Sequence, residues 1–152
     1  FPYFISSQIL TKIFENKQLI SEVVGMFQKE VSEKVNAQPG NKNYGIISVF
    51  IQAFYSVEYL FTVPEGAFDP PPKVKSGVIH LKRNAVESLG IRDSTFKQVV
   101  KLGFNQRRKT LRNSLKSILP EAVREEAILT KRPEQLAVKE FIEIGKMIES
   151  NQ

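Results

Sequence analysis

The sequence predicts an α/β protein in which a sheet with crossover helices is followed by a small all-helical C-terminal domain. Three observations lead to this fold class. Residues 1–83 alternate between helical and extended patterns, which is typical of strands joined by helices. Residues 84–93 are a polar linker, and residues 94–152 contain no strand pattern. The 152 residues are 41% hydrophobic and 25% charged, a globular composition in a chain long enough to bury a core.

The first half begins with a helix, a strand and a second helix. Apolar residues at positions 9, 10, 13 and 14 have helical spacing, and two serines precede them as candidate N-caps. The apolar run at 22–27 predicts a buried strand, and the polar stretch 29–37 predicts a helix. Adjacent proline and glycine within residues 38–41 end that helix.

Four further segments complete the sheet region. A helix over residues 44–55 is followed by a strand over 57–63, a proline-rich loop over 66–75 and a strand over 77–81. The loop is too short for a crossover helix, so the last two strands are predicted to be antiparallel. Sheets of this type begin with a glycine-rich nucleotide loop, but here the eight glycines are scattered. We therefore expect the back half of a larger sheet.

The second half is predicted to contain three or four helices. Asn105 is a candidate N-cap for the second of them, and Pro133 is a candidate first residue for the last. Leu111, Leu115 and Ile118 of the second helix would face the core. The predicted helices cover residues 94–103, 105–118, 121–129 and 133–149.

The residue types exclude several kinds of site. The absence of cysteine excludes a disulfide scaffold, thiolate catalysis and metal sites built on sulfur. His80 is the single histidine, and we expect it to have a structural role at a strand end. No apolar run approaches the roughly 20 residues that span a bilayer. The chain starts at Phe1 rather than at methionine, so we expect further residues before it.

Positive charge is concentrated in one segment. The net charge is +6, and the stretch from Ser94 to Pro120 has seven basic side chains and no acidic one. The spacing of Arg108, Arg112 and Lys116 predicts a basic stripe along one helix. Such a local field suits a phosphate backbone, although a merely solvated helix face has the same pattern. The seven basic residues are Lys97, Lys101, Arg107, Arg108, Lys109, Arg112 and Lys116.

Two segments can present aromatic rings. Phe1-Pro2-Tyr3-Phe4 can offer the Pro2 carbonyl and the Tyr3 ring to a base, although such aromatics are usually core residues. Three successive prolines stiffen the loop that follows Phe68. That stiffness would hold the Phe68 ring as a second aromatic wall, or would simply make a rigid turn between strands.

In their order and spacing, these segments resemble the KsgA-type ribosomal RNA adenine dimethyltransferase family. The resemblance covers essentially the whole chain. It rests on the triple-proline loop together with the run Gln106-Arg107-Arg108-Lys109-Thr110-Leu111-Arg112-Asn113-Ser114-Leu115. The segments Phe27-Gln28-Lys29-Glu30-Val31 and Tyr44-Gly45-Ile46-Ile47-Ser48-Val49 add to it. The combination is specific, whereas any one motif alone is not.

The resemblance implies a fold, an activity and a cofactor. The family has a Rossmann-like S-adenosylmethionine-dependent methyltransferase domain followed by a small helical domain. It dimethylates the exocyclic amines of two adjacent adenosines near the 3′ end of small-subunit rRNA. Its catalytic motif reads Asn-Leu-Pro-Tyr, and Phe1 stands at the Leu position. The family's Asn and most of the cofactor site are therefore expected upstream, and the chain alone is expected to be inactive.

The resemblance also implies roles for individual residues. Pro2, Tyr3 and Phe68 match catalytic positions, with Tyr3 and Phe68 stacking on a base flipped out of its helix. No cofactor-binding residue and no metal ligand is expected within this chain. The residues expected to bind rRNA are Arg107, Arg108, Lys109 and Arg112, with Lys116 added from the charge pattern alone.

The expected partner is small-subunit rRNA or the assembling small ribosomal subunit in the cytoplasm, with no membrane and no metal. Two alternatives remain open. One is a non-catalytic RNA-binding or ribosome-assembly module. The other is a large-subunit rRNA adenine methyltransferase of the macrolide-resistance type. The triple-proline loop and the basic run favour the small-subunit type.

Overall fold

The computed structural model describes residues 5–152, so the predictions for Pro2 and Tyr3 concern residues outside this range. The alternation of helices and strands in the first half is confirmed, and residues 84–152 contain no strand. The elements are α1 (Ser6–Glu15), β1 (Glu22–Gln28), α2 (Lys29–Asn36), α3 (Ile46–Phe54), β2 (Tyr55–Val63), β3 (Ser76–Arg83), α4 (Asp93–Asn105), α5 (Leu111–Ser114) and α6 (Val138–Ser150). Short 3₁₀ turns lie at Glu65–Ala67, Glu121–Val123, Ala127–Thr130 and Pro133–Gln135.

The three strands form one sheet in the order β1-β3-β2. β3 is antiparallel to both neighbours, which confirms the prediction for the last two strands. β1 and β2 are therefore parallel to each other, and α2 and α3 form the crossover between them. Gln28 and Val63 both pair with Ser76, so β1 and β2 end where β3 starts. We call this side of the sheet the carboxyl edge.

The two faces of the sheet have different environments because successive side chains of a strand point to opposite sides. Ile79 and Leu81 of β3 are fully buried on the face that belongs to the core. His80 lies between them on the other face, where its Nε2 contacts the Glu22 carboxylate of β1. Its Nδ1 lies 4.0 Å from Oε2 of Glu58 on β2. His80 thus lies within β3 rather than at the predicted strand end, where it makes cross-strand contacts. Its structural role stays a prediction.

Four phenylalanines connect α1 and α3 to α4, the first helix of the C-terminal half. The ring of Phe14 on α1 stacks on Phe50 of α3 with the centroids 4.8 Å apart. It also lies 5.8 Å from the ring of Phe54 on α3 and 6.2 Å from that of Phe96 on α4. Each of these rings is at most 1% exposed. Burial of one such side chain contributes about 1.5–3 kcal/mol, so this cluster holds three helices together.

A buried lysine packs on the same rings. Lys17 is 6% exposed, and its Nζ lies 4.8 Å and 4.7 Å from the ring centroids of Phe14 and Phe54. The ammonium donates to Oδ2 of Asp93, the first residue of α4, at 2.5 Å. A buried charge is tolerated only when it is paired, and here a carboxylate and two ring faces compensate it.

The predicted linker is not a break in the core. Leu89 and Ile91 within residues 84–93 are each less than a tenth exposed. They belong to one apolar cluster that contains the buried residues of both halves. The division into residues 1–83 and 94–152 therefore stays a prediction about separate folding units. α4 begins at Asp93, one residue earlier than the sequence pattern predicts.

The prediction of one helix over residues 105–118 is wrong. Asn105 ends α4 instead of capping a new helix, and Thr110 is extended with φ −66° and ψ 155°. The N–H of Leu111 donates to the Lys131 carbonyl at 2.9 Å, so the helical ladder does not pass through this point. Leu111 is buried as predicted, but tertiary packing buries it rather than its place on the face of a continuous helix.

The predicted basic stripe is wrong for the same reason. Arg108 lies in the turns that follow α4, Arg112 lies in the four-residue α5, and Lys116 lies in the turns after α5. Since no helix contains all three residues, their spacing of four does not place them on one helix face.

The last two predicted helices are also corrected. Residues 121–129 form short 3₁₀ turns. Pro133 opens another 3₁₀ turn, and α6 begins five residues later at Val138. The carboxylate of Glu140 accepts the N–H of Ala137 at 3.0 Å, which caps α6 and fixes its start.

Gly77 near the start of β3 leaves no room for a side chain. A Cβ there would lie 2.7 Å from Oη of Tyr59 and 2.8 Å from Cβ of Ser32. We expect Gly77→Ala to lower the free energy of unfolding by about 1–3 kcal/mol, the range for an overpacked site, in urea titrations. Gly66→Ala is the control, because nothing lies within 4 Å of its Cβ position, and it should be near neutral. Equal stability of the two variants would contradict the tight contact between α2 and β3.

The charge of Lys17 depends on Asp93. We expect Asp93→Asn to lower the free energy of unfolding by about 1–3 kcal/mol, because the buried ammonium loses its counter-charge. Lys17→Met in the Asp93→Asn background should recover much of that loss, since methionine fills the space between the rings without a charge. Urea titrations of both single variants and the double variant measure the coupling. A double variant no more stable than Asp93→Asn would rule out the unpaired charge as the cause.

Candidate nucleic-acid interface

The carboxyl edge brings together segments that the sequence singled out separately. α2 follows β1 directly at this edge, and the loop over residues 64–75 connects β2 to β3 there. The N–H of Lys29 donates to the Lys75 carbonyl at 2.9 Å, and Oγ of Ser32 donates to the Gly77 carbonyl at 2.8 Å. These bonds hold α2 and the proline-rich loop side by side.

Phe68 lies in this loop, directly after the 3₁₀ turn Glu65–Ala67. Its backbone is extended with φ −115° and ψ 156°, and its side chain is half-buried. The loop therefore holds Phe68 at the carboxyl edge. Tyr3 lies outside the described residues, so its pairing with Phe68 stays a prediction.

Arg107 has a different environment from its basic neighbours. Its Nη1 donates to the Tyr44 carbonyl at 2.7 Å, and its Nη2 donates to the carbonyls of Lys42 and Asn41 at 3.1 Å and 3.4 Å. The guanidinium also lies 5.5 Å from the ring centroid of Phe104. This half-buried side chain holds the turn before α3 and ties the basic segment to the carboxyl edge.

Arg112 is bound to its own helical segment. Its Nε donates to the Arg124 carbonyl at 2.7 Å, and its Nη2 lies 3.7 Å from Oε2 of Glu125. Two of its donor groups are therefore committed to the turn after Glu121–Val123. The predicted contact of Arg112 with rRNA stays a prediction.

The remaining predicted RNA ligands are free to bind. The side chains of Arg108, Lys109 and Lys116 are exposed, and among the described residues they make no hydrogen bond and no ion pair. An exposed cation without a carboxylate partner keeps its full charge for an approaching polyanion. These three side chains are thus the best placed to contact a phosphate backbone.

Tyr44 joins the turn before α3 to the C-terminal segment. Its hydroxyl is buried and donates to the Leu136 carbonyl at 2.7 Å, and its ring lies edge-on to Phe104 at 6.0 Å. Burial raises the pKa of the Tyr44 hydroxyl well above its ordinary value, and the charge of Glu140 adds to this effect. The hydroxyl stays protonated and serves as a structural donor.

A cavity of about 340 Å³ opens beside Arg107 at the carboxyl edge. Lys34 of α2 and Lys42 of the turn before α3 line it with Arg107, and so does Ser7 of α1. The sequence pattern gave no sign of these two lysines, because each stands alone in a polar stretch. Only the fold brings them next to a residue that lies more than sixty positions away in the sequence.

The expectation that most of the cofactor site lies upstream of this chain stays a prediction. Nucleoside cofactors of open α/β sheets bind at the carboxyl ends of adjacent parallel strands, usually at a glycine-rich turn. Here β3 separates the parallel strands β1 and β2, whose ends are followed by α2 and the proline-rich loop. Residues 5–152 also contain no cluster of acidic and histidine side chains suited to a metal ion. Within the same residues, no helix is long and apolar enough to cross a bilayer.

Comparison with solved structures confirms the predicted fold class. The chain is similar to a dimethyladenosine transferase from Plasmodium falciparum, with a TM-score of 0.81 and 24% identity over 95% of this chain and 62% of that chain. It is also similar to the 23S rRNA methyltransferase ErmE, with a TM-score of 0.64 and 20% identity over 98% of this chain and 63% of that one. At these identities the likeness concerns the fold.

Sequence comparison gives the family. Residues 1–149 match the family model described as ribosomal RNA adenine dimethylase. Ribosomal RNA small subunit methyltransferase A of Bacteroides thetaiotaomicron is 58% identical over 151 residues, which cover 98% of this chain and 57% of the relative. The protein of the same name from Cytophaga hutchinsonii is 57% identical over 149 residues, which cover 97% and 58%. The chain spans rather more than half the length of these curated relatives, and it belongs to the ribosomal RNA adenine dimethylase family.

Proposed function

We propose that this chain is part of an S-adenosylmethionine-dependent enzyme that dimethylates the exocyclic amines of two adjacent adenosines near the 3′ end of small-subunit rRNA. The observation that supports this most directly is the 58% identity to a small subunit methyltransferase A along 98% of the chain. The methyl donor binds mainly to the N-terminal part of the enzyme, which lies outside this chain. The substrate is the assembling small ribosomal subunit, in the cytoplasm.

The residues of this chain hold the target base. An adenine amine is a poor nucleophile because its lone pair is delocalised into the ring, and the base is stacked inside its helix. Tyr3 and Phe68 stack on either side of the flipped base, which contributes about 1–3 kcal/mol per base. The Pro2 carbonyl accepts a hydrogen bond from the amine and favours a tetrahedral nitrogen. The cationic product then loses its proton to water, so the reaction needs no histidine or cysteine base.

The basic residues hold the RNA backbone in two ways. Arg108, Lys109 and Lys116 contact phosphates directly, since their side chains are exposed and have no protein partner among the described residues. Arg107 and Arg112 contribute their positive charge while they position the turns around them. A carbonyl oxygen accepts a hydrogen bond without neutralising the donor, so Arg107 still adds its full charge to the field at this surface. Arg112 adds less, because it shares its charge with the Glu125 carboxylate at 3.7 Å.

Both alternatives to this function remain testable. Modification of large-subunit rRNA is the weaker one, because the highly identical relatives are named for the small subunit. A non-catalytic RNA-binding module is the other alternative, because the glycines of the chain are scattered and form no nucleotide loop. A methylation assay with a completed enzyme separates these possibilities.

A chimera tests the proposed activity. The N-terminal part of the Bacteroides thetaiotaomicron relative, joined to this chain, should methylate small ribosomal subunits that lack the modification. Phe68→Ala should lower kcat/KM by about 10- to 100-fold, since one stacking interaction of about 1–3 kcal/mol is lost. The measurement is transfer of labelled methyl groups, with binding of S-adenosylmethionine as the control for folding. A folded chimera that methylates only large-subunit RNA, or no RNA, would contradict the proposal.

The salt dependence of RNA binding tests the basic surface. For Arg108→Ala combined with Lys109→Ala, the slope of log K against log salt concentration should fall by about 1.4–1.8, because two phosphate contacts are lost. The control is Lys139→Ala combined with Lys146→Ala, which removes the same charge from α6. Those lysines line a groove beside Ala53 and Asn84, at the end of α3 and β3 opposite the carboxyl edge. An equal change in both double variants would indicate a nonspecific effect of net charge.

A further inference from the structure

The cavity beside Arg107 has walls from four separate parts of the chain. Ser7 comes from the first turn of α1, Lys34 from α2, Lys42 and Gly45 from the turn before α3, and Arg107 from the basic segment. Its volume of about 340 Å³ lies within the usual range for small-molecule sites. The cavity therefore has the size of part of a nucleotide strand rather than of a single ion.

The cavity wall is positively charged. Three cationic side chains line it, and none of the acidic side chains of residues 5–152 does. Arg107 donates hydrogen bonds to backbone carbonyls only, so its charge has no carboxylate partner among residues 5–152. The exposed Lys42 side chain makes no contact with an acidic side chain among residues 5–152, whereas Lys34 shares its charge with Glu30 at 3.5 Å. Such a wall favours an anion, and the phosphate group is the anion of an RNA strand.

The rest of the wall suits a sugar. Ser7 and Asn43 offer polar side chains, and Val31, Ile47 and Phe104 offer apolar surface. A ribose has hydroxyl groups on one side and carbon atoms on the other, so it can use both kinds of contact.

Gly45 keeps the cavity open. Its φ of −159° is an extended conformation that any residue adopts, so the backbone does not require glycine here. A Cβ at this position would meet only Nη1 of Arg107, at 3.9 Å. A larger side chain would therefore extend into open space beside Arg107, and its absence leaves that space to a ligand.

The position of the cavity relates it to the target base. Ser7 lies four residues after Tyr3, and Lys34 belongs to α2, which is hydrogen-bonded to the loop of Phe68. We propose that the cavity binds the ribose and phosphate of a nucleotide next to the target adenosine. This proposal rests on the function proposed above, because it takes the bound polymer to be the RNA that is methylated.

The test uses this chain and a synthetic trinucleotide of adenosine with a 5′-phosphate. Titration followed by amide NMR should shift the resonances of Asn43, Gly45 and Arg107. Gly45→Val should raise the Kd about tenfold by filling the cavity, whereas Gly45→Ala should have a smaller effect. Lys42→Glu should raise the Kd at least fivefold, and Lys139→Glu on α6 is its charge-matched control.

Two results would overturn the proposal. One is binding to Gly45→Val and Lys42→Glu as tight as to the unchanged chain. The other is a set of shifts that leaves residues 43–45 and 107 unaffected. The matching deoxyadenosine trinucleotide as a second probe has the same phosphates and bases and tells whether the ribose hydroxyl contributes, because a phosphate-only site would bind both probes equally and refute the ribose contact. The binding titration does not depend on methylation. A chimera that fails to methylate adenosine would therefore refute the enzyme function, while binding of the trinucleotide in the cavity would still stand.

Discussion

The position of the whole helical segment depends on the contacts of Phe14. Its ring stacks on Phe50 of the crossover and meets Phe96 of α4, so helices before, within and after the sheet share one core. Lys17 lies on the same cluster and binds Asp93 at the start of α4. The aromatic rings stabilise the packing of the helices by burying apolar surface. The ion pair fixes the orientation of α4, because the buried ammonium of Lys17 needs the Asp93 carboxylate beside it. These contacts thereby fix the position of the basic residues that follow α4 relative to the sheet.

The topology of the sheet determines why the candidate functional groups meet at one edge. Since β3 runs antiparallel between the parallel strands β1 and β2, the chain must return into the sheet at the carboxyl edge. The loop with Phe68 lies at that return. α2 starts at the same edge, and Arg107 brings the basic segment there through three carbonyl contacts. Our proposals for the base and for the flanking nucleotide thus both use the carboxyl edge.

Arg107 and Arg108 show why adjacent arginines need not have the same role. Arg107 is half-buried and committed to the turn before α3, whereas Arg108 is exposed. An arginine bound by carbonyls keeps its charge, so Arg107 supports the field of the surface while it fixes the wall of the cavity. Substitution of Arg108 should therefore weaken RNA binding alone, whereas substitution of Arg107 should also disturb the fold. Arg112, bound to the Arg124 carbonyl, resembles Arg107 in this respect.

The sequence alone determined the strands and helices of residues 5–83, the antiparallel final pair and the family, because apolar period, turn residues and motif order are local properties of the chain. It also located the positive charge. It did not determine the path after Asn105, where Leu111 and Leu115 have helical spacing but the Leu111 N–H bonds to Lys131 instead. The loss of the predicted stripe, the contacts of Arg107 with the turn before α3 and the meeting of Lys34 and Lys42 with Arg107 around one cavity were decided by tertiary structure. Each depends on contacts between residues distant in sequence, and no local pattern encodes which backbone carbonyl a given side chain will meet.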